Sequence, residues 1–305
     1  MGIMKKYILL LLILPGLTLT GAFAQDDEKE DIPVRAPFES GYLIDNQTTQ
    51  IPIEGTLEYV IQHKFGTMEN GLSDVWGIYS PGANVRLGLN YVPVNNFQVG
   101  LGLTKKNMYT DLNAKWTILE QTRENTIPLA VALYGSLAID GRNENTFGTG
   151  KVWHSGEGTK EFDIVFSDRF SYFSQLIVGR KFTHWLSLQA GASFTHYNMV
   201  GSVYDHDKIG LHFNGRIRFS MQSSFIFNYD VPLKIKSISE QREWVDHPKP
   251  NLAFGVEIST STHAFQIYMG TADGIIPQDI MMWNQNDWTD NGLAIGFTIT
   301  RLWNF

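Results

Sequence analysis

The segment Gly296–Phe305, "GFTITRLWNF", decides how the rest of the chain reads. Taken by twos, Leu293, Ile295, Phe297, Ile299, Arg301, Trp303 and Phe305 form one set, large and mostly apolar. Ala294, Gly296, Thr298, Thr300, Leu302 and Asn304 form the other, mostly small or polar. Period two marks a β-strand with two unlike faces. The last residues of a soluble domain fray in water and gain little from an aromatic ring. A two-faced strand here is expected in a sheet that closes on itself in lipid, where an unpaired edge is costly.

The same alternation recurs upstream. Leu57, Tyr59 and Ile61 alternate with Glu58, Val60 and Gln62. Val85, Leu87, Leu89 and Tyr91 alternate with Asn84, Arg86, Gly88 and Asn90, and Leu112, Ala114 and Trp116 with Asp111, Asn113 and Lys115. Ile209, Leu211, Phe213 and Ile217 oppose Gly210, His212, Asn214, Arg216 and Arg218. Similar runs follow near Phe225–Tyr229, Leu252–Ile258 and Phe265–Met269. Phe170–Phe182 reads as a strand, but alternation does not assign its faces.

A water-soluble sandwich also alternates, so the quality of each face matters. The polar sets are rich in Gly, Ser, Thr, Asn and Gln as well as charge, which suits a crowded or wet interior. The apolar sets are long and carry aromatics at their ends, like the girdles of membrane barrels. No later segment reaches the roughly 20 apolar residues of a spanning helix. Connections alternate in length over most of the chain: Val92–Asn96, Thr183–Trp185, Ser220–Ser223 and Thr260–Thr262 are tight. Thr67–Pro81, Asp140–Arg169, Met199–Asp207, Val231–Lys249 and Gly270–Asp290 are long, and Lys105–Met108 is short where a long link is due. The expected fold is all-β: a single antiparallel transmembrane β-barrel of about twelve strands, with short periplasmic turns and long external loops.

The other end carries an export signal. Lys5 and Lys6 precede the apolar run Tyr7–Leu19, and Ala22-Phe23-Ala24 has the small-large-small form of a cleavage site. The expected domains are a signal peptide over residues 1–24, an acidic periplasmic leader and possible plug over 25–54, and an outer-membrane barrel over 55–305. Cleavage removes the two lysines and takes the formal charge from −7 to −9. That acidity argues against nucleic acid as a partner. The chain has no cysteine, hence neither disulfides nor thiolate metal sites.

Four stretches together resemble an uncharacterised family of outer-membrane β-barrel proteins common in Bacteroidota. They are "APFESGYLIDNQT" at Ala36–Thr48, "EYVIQHKFG" at Glu58–Gly66, "SYFSQLIVGRKF" at Ser171–Phe182 and "KPNLAFGVEISTSTHAFQIY" at Lys249–Tyr268. The resemblance spans nearly the whole mature chain. It implies a barrel and an outer-membrane address, and it supplies no activity and no catalytic residues.

By face, Glu58, Asp111, Asp230 and Glu257 point into the lumen alongside Lys64, Arg86, Lys115, Arg216 and Arg218. Such a lining either selects solutes in a narrow pore or fills a small barrel with ion pairs. The pore is the first expectation; a non-conducting structural or partner-binding barrel is the alternative. A third reading, an outer-membrane lipid-modifying enzyme, would use a serine beside His63, His196 or His263. No G-x-S-x-G elbow accompanies them, so no enzyme is expected. Tyr204–Asp207, "YDHD", and Asn284–Asn291, "NQNDWTDN", read as solvated loops rather than cation sites. Neither metal nor cofactor is expected, and no Walker loop, C-x-x-C or H-E-x-x-H occurs. The expected partners are outer-membrane lipid and the barrel assembly machinery. The machinery would read Phe297, Ile299, Trp303 and Phe305 of the last strand.

Overall fold

The computed structural model describes residues 31–148, 153–155, 158–160, 164–201, 204–235 and 247–305. The expected signal peptide and the start of the acidic leader lie outside the described residues.

Twelve strands close into a barrel in chain order. They are β1 (Thr56–Thr67), β2 (Asn84–Val94), β3 (Phe97–Thr104), β4 (Thr110–Leu119), β5 (Ala130–Ile139) and β6 (Phe170–Lys181). Then come β7 (Leu186–Tyr197), β8 (Asp207–Arg218), β9 (Ser223–Pro232), β10 (Asn251–Ser259), β11 (His263–Gly270) and β12 (Ala294–Asn304). Every neighbouring pair is antiparallel. The tail strand β12 pairs with β1, Thr298 opposite Gln62 and Leu302 opposite Glu58, so no edge is left open. Among the described residues no helix is long and apolar enough to cross a membrane, as closure of the sheet makes unnecessary.

The alternation of the sequence is the alternation of the wall. Leu89, Leu101, Phe213 and Ile267 face outward and are exposed, while Asn90, Asn214 and Gln266 on the intervening positions are buried. A band of exposed large apolar side chains around a whole sheet is incompatible with water as the surrounding medium. Strand β6 explains its own ambiguity: Ser171, Phe173, Gln175 and Ile177 point inward, so its inner face is half apolar.

The interior has content of its own. The chain enters at the short-turn end, where Val34 N–H donates to Gln121 O (2.7 Å) and Arg123 N–H donates to Ile32 O (3.0 Å). The link between β4 and β5, which carries this docking, is longer than the other connections at that end. Residues 37–51 then run within the barrel, making a small hairpin of Tyr42–Leu43 with Asn46–Gln47 before the chain returns to β1. Phe38, Leu43 and Ile44 are buried against Ile226, Ala253 and Tyr268 of the wall. From the long-loop end, the helix Pro277–Trp283 is also buried in the barrel, with proline at its first turn, where no N–H is needed. Its Met281 packs on Ala132, Tyr134, Phe173 and Ile177, which gives the apolar inner face of β6 its partner.

Candidate functional site

Eight of the nine charges expected in the lumen are buried there: Glu58, Lys64, Arg86, Asp111, Lys115, Arg216, Asp230 and Glu257. Arg86 and Asp111 pair within the wall, Nε to Oδ2 at 2.8 Å and Nη2 to Oδ1 at 2.7 Å. The two inward glycines of β3 make room for such groups. A Cβ on Gly102 would lie 2.2 Å from Asp111 Oδ2, and one on Gly100 would lie 2.0 Å from Asn90 Oδ1. Glu58 accepts from Asn90 Nδ2 (2.9 Å) and Gln98 Nε2 (3.1 Å).

The other wall charges reach the N-terminal segment. Lys64 Nζ lies 2.7 Å from Asp45 Oδ1 and donates to the carbonyls of Ala272 and Gly274. Lys115 Nζ donates to Gly41 O (3.2 Å) and Gln47 Oε1 (3.1 Å). Arg216 bridges Glu257 of the wall (3.1 Å) and Glu39 of the segment (2.7 Å). Asp230 accepts from Asn46 Nδ2 at 2.6 Å. Burial pushes the Asp45 carboxyl up, while the Lys64 ammonium pulls against it.

Arg218 corrects the ninth expectation. It has the inward parity but sits at the end of β8, where its guanidinium donates to the carbonyls of Ser220 and Met221 in its own turn. A strand end places a long side chain at the rim, whatever its face.

Three inward residues form a relay that the sequence reading did not single out. Ser193 Oγ is 2.7 Å from His212 Nε2, and His212 Nδ1 is 2.8 Å from Asp230 Oδ1. The order is that of a hydrolase triad. The void beside His212 and Asp230 is only ≈ 10 Å³, closed by Asn46, Ile280 and Met281. One water at most fits there. The outward histidines are engaged elsewhere: His63 stacks on Phe297 at 5.1 Å, His263 on Phe265 at 5.8 Å, and His196 Nδ1 is 2.6 Å from Asp207 Oδ1.

At the long-loop end lies a larger space. A cavity of ≈ 430 Å³ opens beside the lumen helix, with Tyr109, Asp140, Arg142, Tyr197, Tyr204 and Trp283 among its walls. The short link after β3 forms one side, and it holds Asn107 and Met108 at positive φ, which only asparagine of the two adopts readily. The Trp283 ring meets Tyr197 edge-on at 5.5 Å and Tyr204 at 5.2 Å. Lys106 Nζ bridges Asp279 (3.0 Å) and Asp273 (3.1 Å). Burial opposes the Lys106 charge, but these two carboxylates outweigh it and hold its pKa above the usual value. Burial also pushes Asp279 up, with Lys106 opposing.

On β12, Phe297, Ile299 and Trp303 face outward, and Arg301 lies over the Trp303 ring at 4.9 Å. The Phe305 side chain is 90% exposed.

A closed sheet with an apolar outside and a buried, ionic inside defines a membrane-spanning β-barrel. The chain belongs to the family described as a membrane bound beta barrel domain (DUF5777), whose model matches residues 38–303. No curated protein matches it in sequence. Among solved structures, an outer membrane channel from Pseudomonas putida F1 is similar at 10% identity and a TM-score of 0.49, over 83% of this chain and 97% of that one. The KdgM porin in complex with disordered oligogalacturonate is similar at 9% identity and a TM-score of 0.43, over 82% and 99%. LpxR from Salmonella typhimurium is similar at 10% identity and a TM-score of 0.37, over 82% and 100%.

The residues that sequence reasoning did not single out are mostly on the plug side: Glu39, Asp45, Asn46, Gln47 and Asp279. The lumen helix had a signal, since "IIPQDIMMW" at Ile275–Trp283 is too apolar for a solvated loop and starts with a helix-initiating proline.

Proposed function

We propose that this chain is an outer-membrane barrel held shut by its own N-terminal segment, acting as a binding barrel at its external mouth rather than as an open pore. The observation that carries this reading is the buried Lys64–Asp45 pair, which ties the wall to the segment across the lumen. Around it, the voids where wall, segment and lumen helix meet measure ≈ 20 Å³ and ≈ 10 Å³, room for about one water each. A narrow pore lined by Arg86, Asp111, Arg216 and Glu257 is the second reading, and it requires the segment to leave.

The relay Ser193–His212–Asp230 is read as structural, because a substrate has no space beside it among the described residues. The apolar outer band, the closure of β12 on β1 and the family's membrane-bound character support an outer-membrane address.

The test is conductance in planar bilayers. The mature protein is expected to be silent, and a variant lacking residues 37–52 is expected to show discrete channel steps. Steady conductance by the intact protein would overturn the shut-barrel reading and restore the pore.

A further inference from the structure

The mouth cavity has a chemistry that the shut barrel does not explain. Most of its charged groups are already held, Asp168 by the Val165 N–H and the others as follows. Arg142 holds Asp140 through two nitrogens, Nε at 3.0 Å and Nη2 at 2.6 Å. Lys106 is shared by Asp279 and Asp273, and Arg169 donates to the carbonyls of Asp140 and Arg142. Both guanidinium groups also lie over the Phe147 ring, at 4.7 Å and 5.3 Å. A cavity whose ions are neutralised from within has no strong field left to select an ion.

Two other features remain. Asp279 lines the cavity; its Oδ1 is buried out of reach of water and has no hydrogen-bond partner among the described residues, while Oδ2 of the same carboxylate holds Lys106. A buried acceptor left unmade costs free energy, so it favours any ligand that donates to it. On the same side, one helical turn from Asp279, Trp283 meets Tyr197 and Tyr204 edge-on, and the Tyr109 and Tyr197 hydroxyls lie 3.5 Å apart. These give apolar faces rimmed by neutral hydroxyls.

We propose that this cavity binds a neutral saccharide, one or two sugar units long, presented from the long-loop side. The volume, ≈ 430 Å³, falls in the range of about 300–1,000 Å³ of small-molecule sites. A small rotation of the Asp279 carboxylate brings Oδ1 to the cavity, where a sugar hydroxyl donates to it, and the C–H face of the ring lies on Trp283 or Tyr204. A cationic ligand would also donate to Asp279 but would meet the Lys106 ammonium. An anionic one would bring acceptors against Asp279 and Asp140. The proposal rests on the reading that binding, not conduction, is the task of the mouth.

The experiment is isothermal titration of the detergent-folded full mature barrel with galactose, mannose, N-acetylglucosamine and maltose. Glucuronate and glucosamine serve as charged controls, and tryptophan fluorescence is followed in parallel. At least one neutral sugar is expected to bind saturably and more tightly than either control. Asp279→Asn is expected to weaken that binding on the order of tenfold. Trp283→Phe is expected to abolish the fluorescence response, and Tyr204→Ala serves if either variant fails to fold. Absence of saturable binding by all four neutral sugars would overturn the proposal. So would tighter binding of a charged control, or binding unchanged in Asp279→Asn and Tyr204→Ala. Conductance of the same preparations reports separately on the shut barrel: a conducting protein that binds sugar loses that reading and keeps this one.

Discussion

Lys64 Nζ lies 2.7 Å from Asp45 Oδ1, with both side chains almost fully buried, and the same ammonium takes the carbonyls of Ala272 and Gly274. One lysine on β1 therefore holds the N-terminal segment from one end of the barrel and the loop before the lumen helix from the other. Removing one partner of a buried pair strands a charge, which costs about 3–5 kcal/mol. Asp45→Asn is expected to lower stability by about that amount. The temperature at which the folded gel band converts to the unfolded one measures it. The double variant Lys64→Met/Asp45→Asn should recover part of the loss, and equal behaviour of single and double variants would remove the coupling.

The same carboxylate gives a pH signature. Burial raises its pKa in the folded state, so between the ordinary aspartate value near 4 and the raised one the folded protein binds more protons than the unfolded. This contribution to stability is therefore full at low pH and lost as pH rises through the folded value. Asn at this position has no such proton to bind, so the conversion temperature of the wild type should rise relative to that of Asp45→Asn as pH falls toward about 4. A wild type that loses ground to the variant toward acid would contradict the assigned direction.

Gly102 tests the wall alone. A Cβ there would sit 2.2 Å from Asp111 Oδ2 and 2.4 Å from Arg86 Nη2, both anchored in one bidentate pair. Gly102→Val is expected to lower the yield of folded barrel several-fold, because overpacking here also breaks an ion pair. Leu101→Val on the outward face should leave the yield nearly unchanged, as read from heat-modifiable gel mobility.

How legible the molecule was follows from the physics of each part. Closure, strand number and outward faces were readable because lipid enforces period two on one side of every strand, as in Val99, Leu101 and Leu103. The wall charges were placed for the same reason. Their partners were not, since Asp45 and Glu39 lie in a segment without periodicity, and nothing local says that it folds inward. Strand β6 resisted because Phe173 and Ile177 face a buried helix rather than water. Arg218 misled because parity fixes a side, not a depth. The relay of Ser193, His212 and Asp230 joins three strands, a relation that only the register supplies.

The tail separates recognition from stability. Phe305 is almost fully exposed, so its ring contributes little to the folded barrel, whereas Trp303 is stacked under Arg301. Phe305→Ala is expected to reduce the amount of assembled barrel in cells and to leave the conversion temperature of the purified barrel within about 1 °C, since an exposed side chain has little folding energy to lose. If the last strand carries an assembly signal, the two readouts come apart. If yield and temperature fall together, the residue is structural, and if neither changes, the signal lies elsewhere.

Arg216 decides between the shut barrel and the pore in one pair of measurements. It joins Glu257 of the wall to Glu39 of the inserted segment, so in the shut barrel it acts as a clasp. Arg216→Ala in the intact chain strands both carboxylates and should produce intermittent conductance from a silent background. The neighbouring Ile217→Ala faces outward and should stay silent. In a variant lacking residues 37–52 the same arginine lines an open lumen, and its loss should shift ion selectivity toward cations, because a fixed positive charge is removed from a narrow, weakly screened passage. A pore without a clasp makes the opposite forecast: the intact protein conducts before any substitution, and Arg216→Ala alters its selectivity without changing how often it opens.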